Sequence, residues 1–162
     1  MNPILISGVP ACGKTSFGDY LRDNHGFVHI DLEARPERQH VLHTLWSRAY
    51  PNGLGSYFSE LKKIHPKIVM TWGFPYGCLP LIPNIQQMGV DCWWFDGDMD
   101  KAEAEWIKRE GHSPSGVARQ QFDNLRVHAG EFPAIYGSRF VRTLDKSGYV
   151  KSYAELQALV SS

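Results

Sequence analysis

Gly8 is followed, after four residues, by Gly13-Lys14-Thr15, which completes the pattern G-x-x-x-x-G-K-[ST]. Residue types at this spacing suit one kind of chemistry, the holding of phosphate. The two glycines let the main chain turn tightly and close on a ligand. The N–H groups between them then form a concave nest for an anion, with the positive end of the following helix behind it. Lys14 is placed to reach the outer phosphates of a nucleoside triphosphate, and the Thr15 hydroxyl to ligate Mg²⁺. The expected phosphate contacts are Gly8, Pro10, Ala11, Cys12, Gly13, Lys14, Thr15 and Ser16. The flanks agree with this reading. Ile4-Leu5-Ile6 is an apolar run suited to a buried strand, and Ser16 to Asn24 reads as a helix.

Further elements must hold that loop in place. Phe27 to Glu33 reads as a second strand with an acidic end, Lys67 to Trp72 as a third, Val90 to Phe95 as a fourth and Arg139 to Leu144 as a fifth. Helices are expected over Glu37 to Tyr50, Leu54 to Ile64 and Leu79 to Met88. Lys101 to Glu110 follows, capped by Asp100 and Glu103, then Val117 to Ala129 and Ser152 to Val160. Strands that alternate with helices predict an α/β fold, a parallel sheet covered on both faces, in one domain over residues 1–162. Ligands in such sheets bind beyond the carboxyl ends of the strands. The phosphate loop, Asp31, Glu33, Trp72 and Asp96 should therefore converge on one crevice. Asp31 and Glu33 are two apart on a strand, which puts both carboxylates on the same side.

Composition narrows the function classes. The 162 residues suit a single domain with a sizeable core. Lys plus Arg and Asp plus Glu both number 17, so no global field draws the chain to nucleic acid or an anionic membrane. No run is long enough to span a bilayer, and nothing before the phosphate loop resembles a secretory leader, so a cytoplasmic protein is expected. Three cysteines without paired spacing read as reduced thiols. Cys12 is open to two readings: a thiol activated by the helix N-terminus, or a small residue filling the loop. His40 and His43 are three apart, yet no further ligand completes a zinc set.

Phosphoryl transfer needs positive charge around the migrating group, and Arg109 and Arg119 flank a polar break where a lid could close. The segment itself carries a resemblance. Arg109-Glu110-Gly111-His112-Ser113-Pro114, followed by Gln121-Phe122-Asp123-Asn124-Leu125, is similar to the R-x-G-H-x-x-P and S-Q-F-x-x-L segments of gluconate kinases. Most of the chain resembles the wider group of nucleoside monophosphate, shikimate and gluconate kinases. That resemblance implies a three-layer fold with a five-stranded parallel sheet in the order 2-3-1-4-5, a lid at about residues 109–126, and ATP and Mg²⁺ as cofactors. The Asp31 and Glu33 pair is similar to the D-x-D pair of shikimate kinases. By that resemblance Asp31 holds Mg²⁺ or acts as the base toward an acceptor hydroxyl. Glu33, or Arg35 and Arg38, then contacts the acceptor, Trp72 and Phe74 line its pocket, and Lys146 to Tyr149 borders adenine. The chain also departs from these relatives. The Leu-His-Pro element of gluconate kinases is absent, and Trp72-Gly73-Phe74-Pro75-Tyr76 stands where adenylate kinases carry Asp-Gly-Phe-Pro-Arg. Neither gluconate nor AMP is supported as the acceptor.

The expected activity is transfer of the γ-phosphoryl of ATP to a small-molecule hydroxyl or phosphate acceptor, by a monomer or homodimer. Other readings are a nucleotide-dependent switch, a domain that binds ATP without catalysis, and a kinase acting on a base or an end of a polynucleotide. A guanine-specific switch would need an Asn-Lys-x-Asp element, which the sequence lacks. The neutral charge balance gives polynucleotide binding little help.

Overall fold

The apolar run after Pro3 forms strand β1 (Ile4–Gly8), buried along its whole length. The computed structural model of the chain describes residues 1–73 and 76–162. β1 is central in the sheet, with parallel strands on both sides and helices packed over the sheet. β3 (Ile68–Trp72) places Val69 opposite Ile4, and β4 (Asp91–Gly97) places Asp91 opposite Ile4 on the other side. β2 (Val28–Asp31) pairs with β3, and β5 (Phe140–Asp145) with β4, again in parallel. Strands covered on both faces are apolar throughout, without alternation, which is how β1 and β3 read in the sequence. The parallel order β2-β3-β1-β4-β5 is the expected one.

The sheet has six strands, one more than expected. β6 (Gly148–Tyr149) runs antiparallel to β5 at the edge. Asp145 makes the hairpin, its carboxylate accepting from the N–H groups of Ser147 (2.7 Å) and Gly148 (3.1 Å).

Helix α1 (Lys14–His25) follows the phosphate loop and packs on β2 and β3. The single helix expected over residues 37–50 is instead a 3-10 turn (Pro36–Arg38) and a short α2 (His43–Ala49). A local bond competes with the helix there, since His40 Nδ1 accepts from the Leu42 N–H at 3.1 Å. α3 (Leu54–Ile64) buries Leu54, Tyr57, Phe58 and Leu61 as its periodicity requires. Between residues 76 and 87 the chain forms a 3-10 turn (Tyr76–Leu81) and then α4 (Ile82–Gln87), with Pro83 in the first turn, where its missing N–H costs nothing.

α5 (Met99–Glu110) starts earlier than expected because Asp98 is its cap, accepting from the Lys101 N–H at 2.9 Å. α6 (Gly116–Val127), α7 (Glu131–Tyr136) and β5 follow, and α8 (Tyr153–Val160) closes the described chain on α1. α7 was not expected. Cys12, Cys78 and Cys92 are buried and unbridged. Among the described residues no helix is long and apolar enough to cross a membrane.

Candidate active site

The phosphate loop is fixed to β4 at its first residue. A Cβ on Gly8 would sit 2.2 Å from the Phe95 carbonyl oxygen, so only glycine lets the chain pass this close. The Val9 N–H donates to the same carbonyl at 3.0 Å. Further along, Lys14 folds back over the loop. Its buried ammonium donates to the carbonyls of Gly8 (3.2 Å) and Val9 (2.9 Å). Burial pulls the Lys14 pKa below the ordinary lysine value, while Cys12, Glu33 and Asp31 oppose that shift. An anion in the nest would favour the charged form further.

Thr15 and Asp31 meet. α1 packs its first turn beside the end of β2, and the Thr15 hydroxyl donates to Asp31 Oδ2 at 3.2 Å. The other Asp31 oxygen accepts from the Glu33 N–H at 2.9 Å, which fixes the turn that carries Glu33. The Glu33 carboxylate then rests against Gly73, just past β3, and accepts from the Gly73 N–H. A Cβ on Gly73 would lie 1.9 Å from both carboxylate oxygens. Glu33 as a whole residue is exposed, yet its carboxylate end is enclosed by these contacts. Burial raises its pKa above the ordinary glutamate value, and Lys14 and Arg109 only partly offset this.

Lys14, Thr15, Glu33 and Gly73 line one cavity of about 580 Å³. Its floor is Pro10, Ala11 and Gly13 to Ser16. Glu33 and Gly73 stand on one side, and Trp106, Arg109 and Gln121 from α5 and α6 on the other. Cys12 faces away from it. Its thiol lies against Gly97, where a Cβ would come within 2.4 Å, and burial pushes its pKa up to about 11. Burial thus outweighs the helix N-terminus, and Cys12 is a packing residue. It lines a second cavity of about 370 Å³ with Ser16, Tyr149 and Tyr153, next to the segment expected to border a nucleobase. A third cavity, of about 720 Å³, begins at Thr15 and Asp31 and carries Arg35 and Arg38. Side chains three apart on a 3-10 turn eclipse one another, which brings both guanidiniums to the same cavity.

Two expected site residues are placed elsewhere. Arg119 pairs with Glu103 (3.2 Å) and Asp123 (3.0 Å), and Arg126 joins the same Glu103 and Asp100 (3.2 Å). The acids of α5 and α6 thus hold Arg119 at the helix–helix contact, and it does not line the 580 Å³ cavity. Trp72 is buried, with its ring packed edge-on against Trp46 (5.2 Å) and Tyr50 (5.8 Å). Phe74 lies outside the described residues. Asp96 is paired with Arg142 across β4 and β5. Gly73, Trp106 and Gln121 are contributors that sequence reasoning missed. For Gly73 a signal existed, a glycine directly after the carboxyl end of a parallel strand, where ligands bind.

The cluster around Glu103 has a pH signature. Arg119 and then Arg126 pull its carboxyl from the ordinary 4.5 down to about 2. A carboxyl whose pKa falls on folding adds stability above its unfolded pKa and loses it as pH falls through the folded one. The α5–α6 contact should therefore hold from neutral pH to about 4.5 and loosen toward about 2. Amide exchange across residues 116–127, corrected for intrinsic rates, should rise in acid. Glu103→Gln should show roughly threefold faster exchange already at neutral pH, as expected of one half-buried ion-pair network near the surface. Equal protection in variant and wild type would show that these pairs contribute nothing.

No protein-family model and no curated protein sequence matches the chain. Solved structures do. A gluconokinase from Sinorhizobium meliloti 1021 is 17% identical with a TM-score of 0.55, over 95% of this chain and 86% of that one. A shikimate kinase from Bacteroides thetaiotaomicron is 15% identical with a TM-score of 0.55, over 99% of each chain. A sugar kinase from Janibacter sp. HTCC2649 is 17% identical with a TM-score of 0.58, over 99% of this chain and 93% of that one. The parallel order around a central β1 and the flanking helices thus give the chain the α/β fold of these kinase structures.

Proposed function

We propose that the chain is an ATP-dependent phosphotransferase acting on a small-molecule hydroxyl or phosphate acceptor. The observation that carries this reading is the grouping of Lys14, Thr15, Glu33 and Arg109 around one cavity, with Asp31 bonded to Thr15 from the adjoining one. Thr15 and Asp31 offer two hard oxygens, which suits Mg²⁺ that keeps waters and phosphate oxygens as its other ligands. Bound there, the ion supplies positive charge to the phosphates. For a hydroxyl acceptor, its oxygen bonds to the γ-phosphorus while the bond to the departing ADP oxygen breaks, and Glu33 takes the hydroxyl proton. A carboxylate with a raised pKa is the stronger base for that step. Lys14 and Arg109 stabilise the charge on the migrating group. Asp31 is then the metal-side carboxylate, and Glu33 the acceptor-side one. Arg35 and Arg38, on the flank of Asp31, favour an acceptor that itself bears negative charge.

ATP consumption screened across nucleosides, nucleotides, sugars and sugar acids tests the proposal, with Lys14→Ala as control. Anionic acceptors should stimulate turnover most. ATP binding that no acceptor class converts into turnover would sink it. Gly73→Ala adds a geometric test. The atoms its methyl would meet are the end of a flexible side chain, Glu33, rather than backbone, so stability should change by no more than about 0.5 kcal/mol. The displaced carboxylate should slow turnover about tenfold. Unchanged turnover would mean that the placement of Glu33 against Gly73 is irrelevant to the reaction.

A further inference from the structure

Ala11 stands at φ 62°, the one non-glycine residue with a positive φ among the described residues. This conformation is strained for an L-residue with a Cβ, and it persists only where the surroundings over-determine it. Here the edge hairpin does so. The Tyr149 hydroxyl, on β6, donates to the Ala11 carbonyl at 2.8 Å. The Thr143 hydroxyl, on β5, donates to the next carbonyl, that of Cys12, at 2.9 Å. In a trans peptide the carbonyl and the following N–H point in opposite directions. Drawing these two carbonyls toward the hairpin turns the Cys12 N–H onto the Val9 carbonyl at 3.3 Å, and turns the Gly13 N–H away from the hairpin. The orientation of the loop's peptides is thus set from outside the loop.

Thr143 is buried inside β5, whereas Tyr149 is 59% exposed and lines both the phosphate-side and the base-side cavities. We infer that Tyr149 is a positioning residue whose hydroxyl latches the phosphate loop in its anion-binding shape before any ligand arrives, offsetting the strain at Ala11. This rests on the proposal that the loop binds phosphate. It adds that phosphate affinity depends on a bond from a two-residue strand at the far edge of the sheet, without contact between that hydroxyl and the phosphates.

Tyr149→Phe keeps the ring and removes only the hydroxyl. Calorimetric titration with tripolyphosphate and with ATP, each with Mg²⁺, is carried out on the wild type, Tyr149→Phe, Ala11→Gly and the double variant. Tyr149→Phe should weaken both ligands about fivefold, the scale of one lost hydrogen bond. Ala11→Gly removes the strain, because glycine adopts this conformation freely. The double variant should accordingly bind within about twofold of Ala11→Gly alone, the non-additivity expected of coupled sites. A general loss of structure would not be repaired by that second change. Tripolyphosphate affinity unaltered by Tyr149→Phe overturns the latch, even if ATP binding falls, since the tyrosine then serves the base. A double variant as weak as Tyr149→Phe overturns it too. A wild type that binds neither ligand overturns the phosphate site itself, and the latch with it.

Discussion

Glu33→Gln should slow phosphoryl transfer to a hydroxyl acceptor by about 10²- to 10⁴-fold while leaving ATP affinity within about twofold. The size follows from what the substitution removes. Glutamine keeps the shape and can still lie against Gly73, but it cannot take a proton. The carboxylate faces Lys14 and Arg109, where the migrating group would pass, and makes no contact with the loop carbonyls that shape the phosphate nest. Nucleotide binding should therefore survive. The pH profile separates this role from a purely electrostatic one. Burial raises the Glu33 pKa above the ordinary 4.5, and a base works only when ionised. The acid limb of kcat/KM should accordingly lie above 4.5 in the wild type and disappear in the variant.

Stability should move the other way. A carboxyl whose pKa rises on folding binds its proton more tightly in the folded state, so its ionised form opposes folding above that pKa. The cost is relieved as pH falls through the folded value, and Glu33→Gln removes it at every pH. Tm near neutral pH should hold or rise, which excludes unfolding as the cause of a lost rate. Wild-type turnover in this variant would return the base role to Asp31, to which the resemblance to shikimate kinases assigned it.

How far each feature could be read in advance depends on how local its cause is. The glycine-rich pattern is a run of consecutive residues, so its place and the strand and helix on either side are legible in the chain. The parallel sheet follows from alternating strands and helices, and β3 and β4 shifted only at their ends. Asp31 and Glu33 read as a pair on one alternating strand, but β2 ends at Asp31 and Glu33 lies in the turn after it. Which of them meets Thr15 depends on where α1 packs against β2, and no local pattern encodes that. Arg119 and Trp72 were misplaced for the same reason. An arginine within α6 pairs with whichever acid α5 presents, here Glu103, and a tryptophan at the end of β3 is claimed by rings from α2 and the residue after it. β6 is two residues long, too short for any periodicity, and the bond from Tyr149 to Ala11 closes a separation of 138 residues.

The second large effect is expected from Lys14→Ala, which should reduce acceptor-stimulated ATP turnover by about 10²- to 10³-fold or more, the scale of losing a group aimed at transition-state charge. Two opposing consequences for the folded chain accompany it. The carbonyls of Gly8 and Val9 lose their donor, and each hydrogen bond to a charged group is worth roughly 1.5–3 kcal/mol. Against that, a buried ammonium no longer has to leave water, a cost of several kcal/mol in its own right. The terms are of similar size, so Tm should shift by no more than a few degrees while phosphate affinity and rate collapse together. Lys14→Arg tests whether charge alone suffices. The ammonium sits buried against the loop carbonyls, and a planar guanidinium cannot occupy that position as a compact point charge does. Rescue by arginine to within about tenfold of the wild type would mean that the lysine works by long-range charge, and the close cradle of Gly8, Val9 and Lys14 would then be incidental to phosphoryl transfer.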